Sequence, residues 1–296
     1  MYDIIIIGAG PSGLTSALYA LRANKKVLVL ESKSYGGQII NSSVVENYPA
    51  LPKVSGYEFA TNLYNQVLDL GLEIKYEEVI GITKEKHVKT RNNEYEAKAI
   101  IIATGSDNRK LGLKREEELT SKGVSYCATC DGNFYKNKVV SVVGGGNTAL
   151  EDALYLSNIA KKVYLIHRRD SFSAEGKYIE ELKTKDNVEF ILNSNVISLN
   201  GNDKLGSIDI KDSDDNVKTL NTDGLFIAVG RIPNNKIFED IIDLENGYIK
   251  SDEDMHTNVD GIYVVGDARV KKLRQLTTAV SDGSVGATTA IKEMEE

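Results

Sequence analysis

Residues 3–13 read DIIIIGAGPSG, and residues 139–149 read VVSVVGGGNTA. Each is a short run rich in β-branched residues that breaks into a glycine-rich turn. After the first turn, Leu14, Ala17, Leu18 and Leu21 recur at helical spacing, and an apolar run at 27–30 ends at Glu31. After the second, Leu150, Ala153 and Leu154 repeat the pattern, and the run at 163–166 ends at His167. The intervals from Gly8 to Glu31 and from Gly144 to His167 are both 23 residues. One glycine-rich turn is a weak signal. Two, each between strand and helix and at equal spacing, predict two βαβ units that bind dinucleotides. Glycines at 8, 10 and 13, and at 144 and 146, let backbone approach a pyrophosphate, and the helix N-terminus supplies unpaired N–H groups and partial positive charge.

The two units end differently. Glu31 stands where a carboxylate accepts hydrogen bonds from ribose hydroxyls, as suits FAD or NAD. The second unit has Arg168 and Arg169 there, which attract a 2′-phosphate and predict an NADPH-type site. A solvated charged turn is the plainer account of the two arginines, and Asp170 weakens their field. Apolar runs at 99–103 and 225–229, ending in Thr104-Gly105 and Gly230-Arg231, read as strands returning to each site. The run at 261–265, leading into Gly266-Asp267 and a helical tail, reads as a strand completing the first domain, which would make that domain discontinuous. Residues 83–96 and 195–220 alternate in polarity between turn residues and read as small antiparallel excursions.

Composition narrows the classes. The 296 residues are 41% hydrophobic and 27% charged, enough for about two globular domains. Lysine and arginine total 36 against 43 acidic residues, so the net charge of −7 argues against a nucleic-acid partner. No run approaches the roughly 18–20 apolar residues of a membrane span, and the first residues lack a signal peptide's pattern, so no membrane association and a cytoplasmic location are expected. The two cysteines form one C-x-x-C, Cys127 and Cys130, and of the three histidines none is near them in sequence, which leaves a zinc site poorly supplied. The motif therefore reads as a redox couple. Asp131 follows directly. It either carries a proton to or from a departing thiolate or caps the local turn.

At this point the chain resembles the low-molecular-weight bacterial thioredoxin reductases over essentially its whole length. The resemblance rests on IGAGPSG at 7–13, Gly36-Gly37-Gln38, Glu46-Asn47-Tyr48-Pro49, Ala103-Thr104-Gly105, GVSYCATCDG at 123–132, GGGNTA at 144–149, His167-Arg168-Arg169, Gly266-Asp267 and Arg274-Gln275. The cysteine stretch separates it from larger disulfide reductases. The resemblance implies an α/β fold of two Rossmann-like three-layer nucleotide-binding domains, the second inserted into the first. Residues 1–109 with 237–296 would bind FAD, and residues 110–236 would bind the nicotinamide nucleotide and carry the cysteines.

It implies electron flow from NADPH through FAD and the Cys127–Cys130 disulfide to thioredoxin or a similar small dithiol protein, in a homodimer. Cys130 would face the flavin, Cys127 would attack the partner, and Asp131 would be the acid. FAD would be held by Gly8, Gly10, Pro11, Ser12, Gly13, Glu31, Gly37, Gln38, Asn47, Ala103, Thr104, Gly105, Gly266, Asp267, Arg274 and Gln275. NADPH would be held by Gly144, Gly146, Asn147, Thr148, Arg168 and Arg169. No metal is expected. Two departures stand out. The family's HRRxxxR has Ser173 in place of its third arginine, a step toward relatives that accept electrons from ferredoxin instead. Asp107-Asn108 replaces a stretch that often holds a proline, and reads as a loop variation.

Overall fold

Ile4, Ile5, Ile6 and Ile7 fill the strand Tyr2–Ile7, and all four are buried. A strand that is apolar at every position must be covered on both faces, as parallel strands are when other layers pack above and below. Its register runs parallel with Val27–Glu31 on one side (Ile4 beside Val27) and with the second half of Glu94–Ile102 on the other (Ile4 beside Ala99). Ile4 and Ile6 point into one core with Leu14, Ala17, Ala287 and Ala290. Ile5 and Ile7 point into another with Val88, Phe238, Ile242 and Ile249. The computed structural model describes residues 1–42, 44–51 and 53–296.

Two compact units divide the chain. One comprises residues 1–107 and 232–296; the other is the continuous stretch 108–231 between them. The chain thus crosses at 107/108 and 231/232, where the sequence places the boundaries at 109/110 and 236/237. Near the crossings, Asn234 N donates to Gly105 O within the first unit, and Arg109 N to Gly230 O within the second.

In the first unit the sheet order is Glu73–Tyr76, Val27–Glu31, Tyr2–Ile7, Glu94–Ile102, with Ile262–Val264 also paired to the last of these. The first half of Glu94–Ile102 pairs antiparallel with His87–Thr90, which continues to Val79–Ile82. The late strand Ile262–Val264 lies parallel to Ile100–Ile102, so the chain's last segment completes a sheet begun by its first. The helices Pro11–Arg22 and Leu276–Glu295 cover one face and cross where Gly283 meets Ser12. A Cβ on Gly283 would lie 2.3 Å from the Ser12 carbonyl oxygen, so only glycine allows that approach.

The second unit repeats the scheme. Its parallel sheet runs Val188–Ile191, Lys162–Ile166, Val139–Val143, Gly224–Ile227, Val124–Ser125. The helices Asn147–Ser157 and Gly176–Lys183 pack on one face with Val140, Val142 and Leu165. The other face, with Val143, Ile166 and Leu225, is covered by an antiparallel sheet of Asn195–Asn200, Ser207–Lys211 and Val217–Asn221. Both antiparallel excursions expected from sequence are therefore present. No helix among the described residues is long and apolar enough to cross a membrane.

Candidate active site

The first glycine turn is shaped by three different needs. Gly8 adopts a left-handed φ of +110°, and a Cβ there would lie 2.4 Å from the Ala103 carbonyl oxygen. A Cβ on Gly13 would lie 1.9 Å from the Gly8 carbonyl oxygen, so the third glycine sets helix against strand. Gly10 differs: it has ordinary extended backbone and, apart from Gly37 Cα at 3.9 Å, open space where a side chain would be. Gly10 is also the N-cap of Pro11–Arg22, with no side-chain cap and no acid in the first turn. Pro11 takes the first helical position, where its missing N–H costs nothing. The helix end therefore presents donors toward a clear space, the arrangement that receives a phosphate.

The remaining first-unit residues gather at the C-terminal edge of the same sheet, where ligands of open α/β sheets bind. Glu31 ends Val27–Glu31; its Oε2 accepts from Ala9 N at 2.8 Å and its Oε1 from Lys33 N at 2.9 Å, which fixes the carboxylate beside the turn. Gly37 lies against Gly10 and starts the 3-10 turn that carries Gln38. Gln38 Nε2 donates to Asp107 Oδ1 at 2.6 Å, so Asp107 is part of this arrangement and more than a loop variation. Asn47 Nδ2 donates to Gln275 Oε1 at 3.0 Å, and Gln275 caps the last helix. Ala103, Thr104 and Gly105 follow Glu94–Ile102, and Gly266 and Asp267 follow Ile262–Val264. Ser12 is buried against the Gly266 turn. Arg274 stacks its guanidinium 4.0 Å above the Tyr248 ring and donates to the carbonyls of Arg269 and Lys271; its buried Nε has no partner among the described residues.

Sequence reasoning missed Asn235. It is fully buried, accepts from Thr104 Oγ1 at 2.9 Å, and donates to the carbonyls of Gly247 and Ala268, tying two of the turns together. A lone Asn in a polar loop carries no signal of this. Sequence reasoning also missed Asp282, whose carboxylate accepts from Arg269, Lys271 and Gly266 N beneath the Gly266–Asp267 turn.

In the second unit the turn is built alike. Gly146 is the uncapped, extended N-cap of Asn147–Ser157, and a Cβ there would meet nothing within 4 Å. A Cβ on Gly144 would lie 2.3 Å from the Ala228 carbonyl oxygen, the counterpart of Gly8 against Ala103. Gly145 is glycine for another reason, since the His167 ring fills the adjacent space. Burial, then the neighbouring arginines, holds the His167 imidazole below its ordinary range, so it is neutral. Arg168 and Arg169 follow the strand Lys162–Ile166 with exposed side chains, in no salt bridge among the described residues. Thr148 is exposed, whereas Asn147 is engaged: its Oδ1 accepts from Glu175 N at 2.8 Å. Ser173 is engaged too, its N and Oγ both donating to the Gly145 carbonyl at 2.8 and 3.0 Å.

Cys127 and Cys130 are joined as a disulfide with Cα atoms 5.3 Å apart. Cys127 caps the single helical turn Ala128–Asp131, which follows the strand Val124–Ser125. The disulfide thus stands at the C-terminal edge of the sheet that carries the second glycine turn. Thr129 Oγ1 lies 3.4 Å from Cys127 Sγ. Asp131 is half-buried; burial pushes its carboxyl up, and a hydrogen bond from Ser125 pulls partly the other way. Burial therefore favours the protonated form of this carboxyl more than in a free aspartate, the direction a proton donor needs.

The profile of the pyridine nucleotide-disulphide oxidoreductases matches residues 2–283. A thioredoxin reductase of Listeria monocytogenes is 41% identical, with 100% of this chain and 95% of that protein covered. The crystal structure of thioredoxin reductase from Streptococcus pyogenes superposes with a TM-score of 0.95 at 41% identity, covering 100% of this chain and 98% of that one. A ferredoxin-flavin thioredoxin reductase from Clostridium acetobutylicum gives a TM-score of 0.54 at 30% identity, covering 99% and 98%. The chain is therefore a member of the pyridine nucleotide-disulphide oxidoreductase family, on the branch of the low-molecular-weight thioredoxin reductases.

Proposed function

We propose that this protein is a thioredoxin-disulfide reductase. NADPH is the donor, FAD is the carrier held by residues 1–107 and 232–296, and the Cys127–Cys130 couple delivers the electron pair to thioredoxin or a similar small dithiol protein. The observation that carries this reading is a C-x-x-C disulfide at the same sheet edge as a nucleotide turn. It acts as a homodimer in the cytoplasm, as the family resemblance implies.

The residues present fit FAD: Gly10 leaves space a Cβ would fill, the helix behind it is uncapped, and Arg274 keeps a buried donor unused. Bound FAD supplies the two-electron exchange between a nicotinamide hydride and a disulfide. Gly10 and the N–H groups of Ser12 and Gly13 receive the pyrophosphate, and Glu31 accepts from ribose hydroxyls. Gln38, Asn47, Thr104, Asp267 and Gln275 surround the rest. In the second unit, Gly146 and Thr148 receive the other pyrophosphate, and Arg168 and Arg169 pair with the 2′-phosphate. Once the disulfide is opened, the Cys127 thiolate attacks the partner's disulfide. The Cys130 thiolate then displaces the partner from that mixed disulfide, re-forming Cys127–Cys130 and leaving the partner as a dithiol. Asp131 holds the proton that the departing thiolate takes.

Anaerobic titration of the purified protein with NADPH, NADH and reduced ferredoxin, followed in the flavin spectrum, tests the donor; turnover with thioredoxin tests the acceptor. Bleaching by NADPH and catalytic thioredoxin reduction are expected. A preparation that neither contains nor takes up FAD ends the reading. A second reading, with ferredoxin as donor, is favoured by Ser173 and by the likeness to the clostridial ferredoxin-flavin enzyme. Bleaching by reduced ferredoxin alone would select it.

A further inference from the structure

The most constrained hydroxyl near the disulfide belongs to Ser125. It is buried in Val124–Ser125, where its pairing beside Phe226 fixes its backbone. Its Oγ accepts from Cys127 N at 3.1 Å, donates to Asp131 Oδ2 at 2.6 Å, and lies 3.4 Å from the Cys127 carbonyl oxygen. The Asp131 N–H donates to that same carbonyl at 3.1 Å, so both ends of the helical turn are tied to the sheet through one side chain.

We propose that Ser125 is the positioning residue for Asp131, holding its carboxyl in both protonation states by turning one hydroxyl proton between Asp131 Oδ2 and the Cys127 carbonyl. This rests on the reading of Asp131 as the acid. A serine hydroxyl has one proton and two lone pairs. One lone pair is taken by Cys127 N throughout. When Asp131 is a carboxylate, the hydroxyl donates to it. When Asp131 carries its proton, that proton points to the second lone pair, and the serine proton turns to the Cys127 carbonyl. In the reaction, as exchange with the Cys127 thiolate breaks the partner's S–S bond, the departing thiolate takes the proton of Asp131, and the hydroxyl swings back to the new carboxylate. Ser125 Oγ keeps its partners in either state, and the carboxyl does not have to move.

Tyr135, on the following 3-10 turn Gly132–Tyr135, is pushed up to about 12 by burial first and then by Asp131, so it stays neutral in the working range. Tyr135 also feels Asp223, and the helix Asn147–Ser157 packed against this turn carries Asp152, pushed up to about 7 by burial; the two thiols titrate as well once the disulfide is open, so the loss of the limb in Asp131→Asn is what assigns it.

The test is the pH profile of thioredoxin turnover by the FAD-loaded enzyme, in wild type, Ser125→Ala, Ser125→Thr and Asp131→Asn, with flavin content and melting temperature as fold controls. Ser125→Ala removes a donor to the carboxylate, so the alkaline limb should move upward by about one pH unit. Turnover on the plateau should fall about tenfold. Ser125→Thr keeps the hydroxyl and should restore the wild-type limb. Asp131→Asn should abolish the limb, and adding Ser125→Ala to it should change the profile no further. If Asp131→Asn leaves the wild-type profile intact, the acid reading itself fails. If it removes the limb but Ser125→Ala does not shift it, the positioning role alone is overturned. Should Ser125→Ala lose flavin, Ser125→Cys, a weaker donor of similar size, decides by the same limb: an unmoved limb overturns the proposal.

Discussion

Ser173 Oγ donates to the Gly145 carbonyl oxygen at 3.0 Å, and the Ser173 amide reaches the same oxygen at 2.8 Å. The hydroxyl that stands where the family carries an arginine therefore braces the second glycine turn. It is not turned out toward a phosphate. Ser173→Arg adds the missing charge while the backbone bond to Gly145 persists. A charge-assisted hydrogen bond contributes about 1.5–3 kcal/mol, so NADPH should bind roughly tenfold to a hundredfold tighter. NADH should be almost unaffected. Ser173→Ala removes only the brace and should weaken both nucleotides alike, by about 0.5–1.5 kcal/mol. Dissociation constants from flavin bleaching distinguish these outcomes; no NADPH gain in Ser173→Arg would mean that this face does not meet the phosphate.

Gly10 and Gly13 should fail in different ways. Gly10→Leu meets open space and ordinary backbone, so the protein should lose its yellow colour while melting like the flavin-free wild type. Gly13→Ala drives a Cβ to 1.9 Å from the Gly8 carbonyl and should cost about 1–3 kcal/mol or more of stability with or without flavin. Visible absorbance and denaturant unfolding of the two variants read this difference. A Gly10→Leu protein that stays yellow would remove the pyrophosphate from this turn.

Asp282 should matter far more than one surface acid. It accepts from Lys271 at 2.7 Å and Arg269 at 2.8 Å, with Lys271 and Asp282 side chains only 7% and 6% exposed. Asp282→Asn removes the one carboxylate paired with both cations in a buried place, leaving only the weaker pull of Asp267 on Lys271, and should destabilise the first unit by about 3–5 kcal/mol. Adding Lys271→Met should restore part of that loss. Urea unfolding of the single and double variants measures it, and a near-neutral Asp282→Asn would show that solvent reaches the cluster.

His256 should make the end of the last helix pH-sensitive. Its Nδ1 meets Asp252 Oδ2 at 2.8 Å and its Nε2 meets Glu293 Oε1 at 2.5 Å, while Tyr263 donates to Glu293 Oε2. Glu293, then Asp252, raises the imidazole above its ordinary 6.5. Folding thus favours the protonated ring; this stabilisation is fully present below 6.5 and is lost as pH rises through the raised folded value. Glu293 is held below its ordinary 4.5 by Tyr263 and then His256, so its contribution is present above 4.5 and lost as pH falls through the lowered value. The clamp is strongest between. His256→Gln should lower the melting temperature at about pH 6 and less at a pH above the raised folded value, where the imidazole has lost its charge. An equal loss at both pH values would show that the ring acts without its charge.

Much of the architecture was legible because its causes are local. The isoleucine run 4–7, the two glycine turns and the 23-residue intervals report burial and backbone shape through residue type and spacing alone. The C-x-x-C pair was legible as a redox couple for the same reason: three residues of separation keep its sulfurs close whatever the rest of the chain does. The antiparallel excursions showed in their alternation.

Hydrogen-bond allegiance was decided only by the tertiary structure. Asn235 binds Thr104 across 131 residues, and nothing in a polar loop announces a fully buried amide. Asp107, read from sequence as a loop substitution, holds Gln38 across 69 residues. Ser173 gave a composition, one hydroxyl in place of a cation, but not a direction, and its direction toward Gly145 sets its role. Ser125 sat inside the most informative stretch of the chain, yet its link to Asp131 depends on a strand edge placing one hydroxyl 2.6 Å from one carboxylate oxygen. Residue type and period determine which face of an element is buried, because burial averages over many atoms. Which donor meets which acceptor turns on ångströms set by packing elements far apart in sequence, and no local pattern encodes those distances.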